Sequence, residues 1–478
     1  MASKTTLSVA NLEALGARRL AELLMDTADQ DAATARRLRL ELAAVHTPSR
    51  VAVDVRKRLA KIGRARSFAD RRKVREIAID LDTQRRAIVN RVADIDAVEA
   101  LELMWRLLDL ASAVHERSDD SDGEVGSVFA AACSDLGPLA ERARPDPADL
   151  ADRVFDARLD NGYGQYDGLI ATLAPALGAP GLDRLKARFV ELSRTPVEKP
   201  PAAERRVIAW GTAGPFYEDV MKARTQASTI KLALQEIASA QGDVDGFIAQ
   251  YDERARKGPM IAAEIARRLL AAGRADEALR AVEQAEPPRH GWPEFDWDDA
   301  RIDVLEALGR HEDAQTARWA CFERALSAKH LRAYLGKLPD FDDDEAERRA
   351  LDHAERDKSL LQALAFLVRW PALDRAARLV MERAAELDGD HYEVLTPAAE
   401  ALAEKHPLAA TLLLRAMIDF ALTKARAARY PHAARHLGEC ASLAPTIADY
   451  GALETHEAYV ARLETKHGRK SGFWGLVS

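Results

Sequence analysis

Two stretches in the second half of the chain turn in the same way at a fixed distance, and this restricts the fold more than any other feature. Residues 264–285 read EIARRLLAAGRADEALRAVEQA and residues 301–321 read RIDVLEALGRHEDAQTARWAC. Aligned on their turns, Leu269 matches Leu305, Gly273 matches Gly309, Arg274 matches Arg310 and Ala278 matches Ala314, all at an offset of 36. Glycine stops a helix because it takes the left-handed conformation without a Cβ penalty. Alanine just after the turn lets a second helix approach the first closely. The unit predicted is therefore a helical hairpin, and such units bury their faces by stacking on one another. Pro371 and Pro407, also 36 apart, and Pro431 are each expected to open an alanine-rich helix. Within 311–326, Ala314, Ala317 and Cys321 form one apolar strip and Trp319, Phe322 and Leu326 another, so that helix should pack on two sides.

The rest of the chain is helical by the same criteria. Alanine, leucine, arginine and glutamate abound, and Val/Ile/Thr runs with period-two alternation are missing. Asn11 is expected to cap a helix carrying Leu12, Leu15, Leu20, Leu23 and Leu24 on one stripe. The run VEALELMWRLLDLASAV, up to Val114, predicts one buried core helix. TPVEKPPAAERR (195–206) has three prolines in six residues. This divides the chain into an N-terminal helical domain (1–195), a Pro-rich linker (196–206) and a helical-repeat array (207–478). The expected fold class is all-α: a helical-hairpin solenoid resembling tetratricopeptide repeats, whose full set of consensus aromatics is missing, with an N-terminal helical domain. A surface loop inside one continuous solenoid is the other reading of the proline stretch.

Two stretches carry a resemblance. GYGQYDGLIATLAPALGAPGLDRLKARF (162–189) is similar to the helical region that follows the zinc module in bacterial SWIM-type zinc-finger proteins. RYPHAARHLGECASLA (429–444) and HEAYVARLETKHGRKSGFW (456–474) look like the end of the same proteins. The SWIM module itself needs C-x-C followed by C-x-H, which none of the three cysteines supplies, so its zinc chemistry is not carried over. The whole chain also resembles an uncharacterised bacterial all-helical family, a domain of unknown function, through LRAYLGKLPDFDDDEAERRAL (331–351) and HPLAATLLLRAMIDFAL (406–422). That resemblance implies a fold and no functional residues.

Reactive motifs are missing. Neither GxxxxGK[ST] nor GxGxxG occurs, which argues against a phosphate loop. His311-Glu312 and His456-Glu457 start a zincin pattern, but Gln315 and Val460 stand where the second histidine belongs. Reading Asp119 to Glu124 as a calcium loop puts Ser118 at the first position and Phe129 at the last, so a capping loop is expected instead. Asp342, Asp343, Asp344 and Glu345 likewise suit the start of a helix, where the dipole favours negative charge. No cofactor is implied.

Three sets of candidate site residues are left. His432, His436 and Cys440 fall at i, i+4 and i+8 and are a candidate metal strip, or a polar strip against a neighbouring helix. From Arg50 to Arg91 there are fourteen Lys or Arg against five Asp or Glu, within a chain of net charge −8. Arg71, Arg72, Lys73, Arg75, Arg85, Arg86 and Arg91 are the candidate phosphate-neutralising residues of this segment. A solvated face, or one docked on the protein's own carboxylates, is the alternative. Trp292, Phe295 and Trp297 concentrate three aromatics in one inter-repeat loop, a candidate protein-binding lip or a plug for the array.

Glu13, Arg18 and Arg19 interrupt any secretory signal, and the longest charge-free stretch, fifteen residues between Asp167 and Asp183, is too short and too rich in Pro and Gly to span a bilayer. Three scattered cysteines form no disulfide framework and fit a reducing compartment. The expectation is a cytoplasmic, non-enzymatic scaffold or adaptor that binds another protein. The alternatives are a nucleic-acid-associated protein using residues 50–91 and an enzyme whose site is assembled from distant residues. No membrane partner is expected, and the oligomeric state is open.

Overall fold

The computed structural model describes residues 7–30, 34–35, 38–39, 42, 48–195, 197, 199–201, 204–212, 214–286 and 295–477, without the side chains of 48, 49 and 72. The fold is all-α, 75% helical with almost no sheet. Among the described residues no helix is long and apolar enough to cross a membrane. The chain divides into two compact units, Met1–Asp252 and Glu253–Ser478.

The first unit is built on helices α1 (Val9–Glu13), α2 (Ala17–Gln30), α3 (Pro48–Arg64), α4 (Arg71–Ala87), α5 (Ala97–Leu108), α6 (Ala111–His115), α7 (Glu124–Ala143), α8 (Pro147–Leu159) and α9 (Leu169–Arg194). Ser8, not Asn11, caps α1: its hydroxyl accepts from the Asn11 N–H at 3.2 Å. The leucines do not share one helix: Leu12 is on α1, Leu15 in the turn before α2, and Leu20, Leu23 and Leu24 on α2, and Leu12, Leu15, Leu23 and Leu24 are exposed. In α3 the residues Val51, Val55, Leu59 and Ile62 are buried, one helical stripe facing the core. The predicted single core helix is two, α5 and α6, separated by a turn at Asp109 and Leu110. Trp105, Leu103, Met104, Leu107 and Leu108 on α5 are fully buried. Helix α7 crosses α9 so closely that a Cβ on Gly137 would stand 2.8 Å from the Thr172 carbonyl oxygen. The two prolines of α9 flank Gly178, whose φ of 55° and ψ of −173° kink the helix there.

The Pro-rich stretch does not fall at the division between the units. It leads into an antiparallel hairpin, β1 (Val207–Gly211) and β2 (Gly214–Tyr217), which sequence reasoning missed, and then into α10 (Glu218–Gln241). Ile230, Ala233 and Ile237 of α10 belong to the same apolar core as the residues of α3 to α9. The physical reason is burial: an apolar face on α10 needs a partner, and α9 supplies it.

In the second unit, α11 (Pro259–Ala271) and α12 (Ala275–Glu283) form one hairpin, and α13 (Phe295–Ala307) and α14 (His311–Ala325) form another. Their turns are alike atom for atom. Gly273 and Gly309 have φ of 74° and 70°. The N–H of Arg274 bonds the Leu269 carbonyl at 2.8 Å, and that of Arg310 bonds the Leu305 carbonyl at 2.9 Å. Arg274 pairs with Glu277, and Arg310 with Asp313, both at 2.7 Å. Helix α14 packs on two sides as expected: Ala314 and Cys321 face Ile302 and Leu305, while Phe322 joins a separate, larger cluster.

The chain continues through α15 (Ala328–Leu335), α16 (Asp342–Glu355), α17 (Leu360–Arg369), α18 (Leu373–Glu382), α19 (Tyr392–Leu402), α20 (Pro407–Thr423), α21 (Tyr430–Leu443), α22 (His456–His467) and α23 (Ser471–Trp474). Pro407 and Pro431 lie in the first turns of α20 and α21, as their missing N–H allows. Pro371 does not open a helix: it precedes the cap residue Ala372 and sits in the turn before α18. The acidic run from Asp342 opens α16, where its charges meet the positive end of the dipole.

Candidate functional site: a two-walled cleft

The basic segment lies on α3, α4 and the π-helical turn Ile88–Val92 that prolongs α4. Much of its charge is already matched inside the first unit. Arg71 makes a two-pronged contact with Asp122, at 2.5 and 2.7 Å, which also holds the Asp122 carboxyl below its usual range. Arg85 reaches Asp82 at 2.9 Å and Asp135 at 2.6 Å, and Arg86 reaches Asp82 at 2.7 Å. Arg56 and Arg58, not singled out in the sequence, pair with Glu99 and Asp80. Lys73, Arg75 and Arg91 are exposed. Arg72 is in α4, and its side chain is outside the described atoms. Asp120 of the Asp119–Glu124 loop is occupied too: its two oxygens accept from the Val125 and Gly126 N–H groups at the start of α7, at 2.9 Å each.

Of the aromatic triplet, Trp292 lies outside the described residues. Phe295 and Trp297 belong to α13 and not to a loop, and both are half-buried. Trp297 donates its indole N–H to the Val282 carbonyl at 3.1 Å, while Phe295 packs on His330 with ring centroids 4.9 Å apart.

His330 belongs to a constellation that the sequence did not suggest. Its Nδ1 is 2.7 Å from Ser327 Oγ and its Nε2 is 3.0 Å from Asp299 Oδ1. Serine, histidine and aspartate thus stand in line, yet Ser327 is the cap of α15 and its oxygen faces the His330 N–H. The Ser327 hydroxyl thus caps α15, and the His330 ring links it to Asp299. Burial lowers the affinity of the ring for a proton.

The His432, His436 and Cys440 strip separates. Among the described residues no group of three or more His, Cys, Asp or Glu side chains could hold a metal ion. Cys440 is 1% exposed and burial pushes its thiol up to about 12, whereas a zinc ligand must be a thiolate. His436 turns its Nδ1 to Glu439 at 3.0 Å. His432 is exposed, 3.4 Å from an Arg435 nitrogen.

Both histidines line something else: a cleft of about 500 Å³ enclosed by α19, α20 and α21. Its first wall is α19, where Glu393, Thr396, Pro397 and Glu400 follow i, i+3, i+4 and i+7 and so share a face. Its opposite wall repeats the spacing with Arg429, His432, Ala433 and His436. Met417 and Ala421, one turn apart on α20, are the floor. One wall therefore carries two carboxylates, the other two imidazoles and Arg429, and the base is apolar. Arg429 is fixed by Asp390 at 2.7 Å and lies over the Tyr392 and Phe420 rings, 4.9 and 5.4 Å from their centroids. The floor is held close by Gly389, where a Cβ would stand 2.1 Å from the Ala416 carbonyl oxygen. Sequence reasoning found the histidines and missed the carboxylates, although the i, i+7 spacing of Glu393 and Glu400 was a readable signal.

The fold and this cleft define the class: an all-α protein in which packed helices form a recess with charged walls. The chain belongs to a family of unknown function (DUF6880), whose model matches residues 2–476. It matches no curated protein and no solved structure.

Proposed function

We propose that the protein is a non-enzymatic helical-repeat adaptor of the cytoplasm, TPR-like in its stacking, that holds a segment of another protein in the cleft between α19 and α21. The observation that carries this reading is the cleft's charge layout. Carboxylates on one wall and imidazoles with Arg429 on the other, each set at helical spacing above an apolar floor, suit an amphipathic partner segment with polar groups along both edges. A small substrate would need convergent polar groups around one point, and here they are spread along two helices. The identical turns at Gly273 and Gly309 support the stacking part of the proposal. Kinship with the helical part of bacterial SWIM-type proteins, without the zinc module, belongs to the same reading.

The test is site-directed photocrosslinking from position 432 in the full chain, with Ala433→Trp, which fills the cleft, as the matched control. A crosslinked polypeptide that disappears in the filled variant, with helicity unchanged, is the expected result. Crosslinking indifferent to the filling overturns the proposal.

A further inference from the structure

A second recess, in the first unit, is built differently. It has a volume of about 350 Å³ and lies where the end of α3 meets the start of α4. The connecting loop is pinned: the Ala69 N–H bonds the Arg117 carbonyl at 2.8 Å, and the Asp119 N–H bonds the Ala69 carbonyl at 3.1 Å. This stitch brings Arg117, from the loop after α6, between Lys61 of α3 and Lys73 of α4 around one recess.

The charges there are unbalanced. Arg58 is matched by Asp80, so that pair is neutral within the recess. Among the described residues Arg117 has no carboxylate partner; its side-chain hydrogen bond to the Ile62 carbonyl is long at 3.4 Å, and its Nε is buried without a partner there. Lys61 and Lys73 are exposed and likewise lack an ion partner among the described residues. Against these three cations stands Glu76 alone. Burial without a counter-charge also holds the Arg117 guanidinium below its ordinary affinity for a proton, the environment an anion would relieve. Phe68, on the rim of the recess, is 64% exposed, a free aromatic face beside the cations.

We infer that this recess binds the phosphate monoester of a nucleotide, with Lys61, Lys73 and Arg117 around the dianion and Phe68 against the base. The surplus of two positive charges matches a dianionic monoester, which lysine meets as a point charge and arginine through its fork of donors. Stacking of a base on an exposed aromatic ring is tolerant of base identity. The inference does not depend on the cleft of the second unit, and it moves the anion-binding part of the basic segment from Arg71, Arg85 and Arg86 to Lys61 and Lys73.

Equilibrium dialysis of the full chain at low salt, with AMP, adenosine and inorganic phosphate as probes, tests it. AMP is expected to bind, to weaken as salt rises, and to be displaced by inorganic phosphate, while adenosine is not retained. The double variant Lys61→Glu/Lys73→Glu, whose side chains are exposed, should lower AMP affinity at least tenfold with an unchanged circular dichroism spectrum. Phe68→Ala should weaken AMP and leave inorganic phosphate unaffected. A 5′-phosphorylated tetranucleotide that competes, where its 5′-hydroxyl counterpart does not, assigns the monoester to a strand end; competition by AMP alone assigns it to a free nucleotide. Equal retention of AMP and adenosine, or AMP binding untouched by the double variant, overturns the inference.

Discussion

Gly389→Ala and Gly438→Ala should shift stability in opposite directions, although both glycines belong to the elements around the cleft, one just before α19 and one inside α21. At Gly389 a methyl group would stand 2.1 Å from the Ala416 carbonyl oxygen and 2.7 Å from Phe420 Cβ. Cβ atoms essentially never approach closer than 3.0 Å, so the segment before α19 must back away from α20 by about 1 Å. The obstacle is helical backbone, which cannot rotate aside as a long side chain can. Overpacking of this kind costs ~1–3 kcal/mol. At Gly438, inside α21, a new Cβ meets nothing within 4 Å. There alanine only restricts the unfolded chain and improves helix propensity, a gain of ~0.5–1 kcal/mol. Urea unfolding of both variants, followed by tryptophan fluorescence, gives the two differences from midpoints at a common slope. A Gly389→Ala variant as stable as the parent would refute the close approach of α19 to α20, and with it the depth of the cleft. A destabilised Gly438→Ala would refute the open space beside that position of α21.

Other expectations follow the same logic. Gly273→Ala and Gly309→Ala each place a Cβ at positive φ, at a cost of ~1–2 kcal/mol, and the two penalties should agree within about 0.5 kcal/mol because the turns are alike; unequal penalties in urea unfolding would show that the turns are not equivalent. Gly137→Ala should destabilise the first unit by ~1–3 kcal/mol, read the same way, because its methyl would press on the Thr172 carbonyl at 2.8 Å. Burial holds the affinity of His330 for a proton below the ordinary imidazole value of 6.5. The unfolded chain then binds the extra proton, so stability is present above that value and falls as pH drops below it. His330→Gln should flatten this part of the pH profile of the melting temperature, and an unchanged profile would rule out the histidine as its source.

What the sequence disclosed was local. The turns at Gly273 and Gly309 could be read because a helix stop is written in one residue and its immediate neighbours. The two-sided packing of α14 was equally legible, since Cys321 and Phe322 are adjacent and must point to different neighbours. The basic segment was legible only in part, for the opposite reason. Its count of cations was right, but the carboxylates that meet Arg56, Arg71 and Arg85 are Glu99, Asp122 and Asp135, more than forty residues away in each case. The cleft was hidden similarly, because its two walls are separated in sequence by the whole of α20. The hairpin at residues 207–217 escaped because its strands are short, contain Gly and Pro, and bury little.

The three cysteines have a practical consequence. All are free and buried, with Cys133 pushed up to about 11 and Cys321 and Cys440 to about 12. At neutral pH all three are therefore held as thiols, the form that does not react as a nucleophile. The native sulfur is thus packing material, inert to alkylating dyes while the fold is intact. A cysteine introduced at an exposed position such as His432 would be the sole fast-reacting thiol of the folded chain. A spectroscopic reporter could be placed there without deleting any natural residue elsewhere.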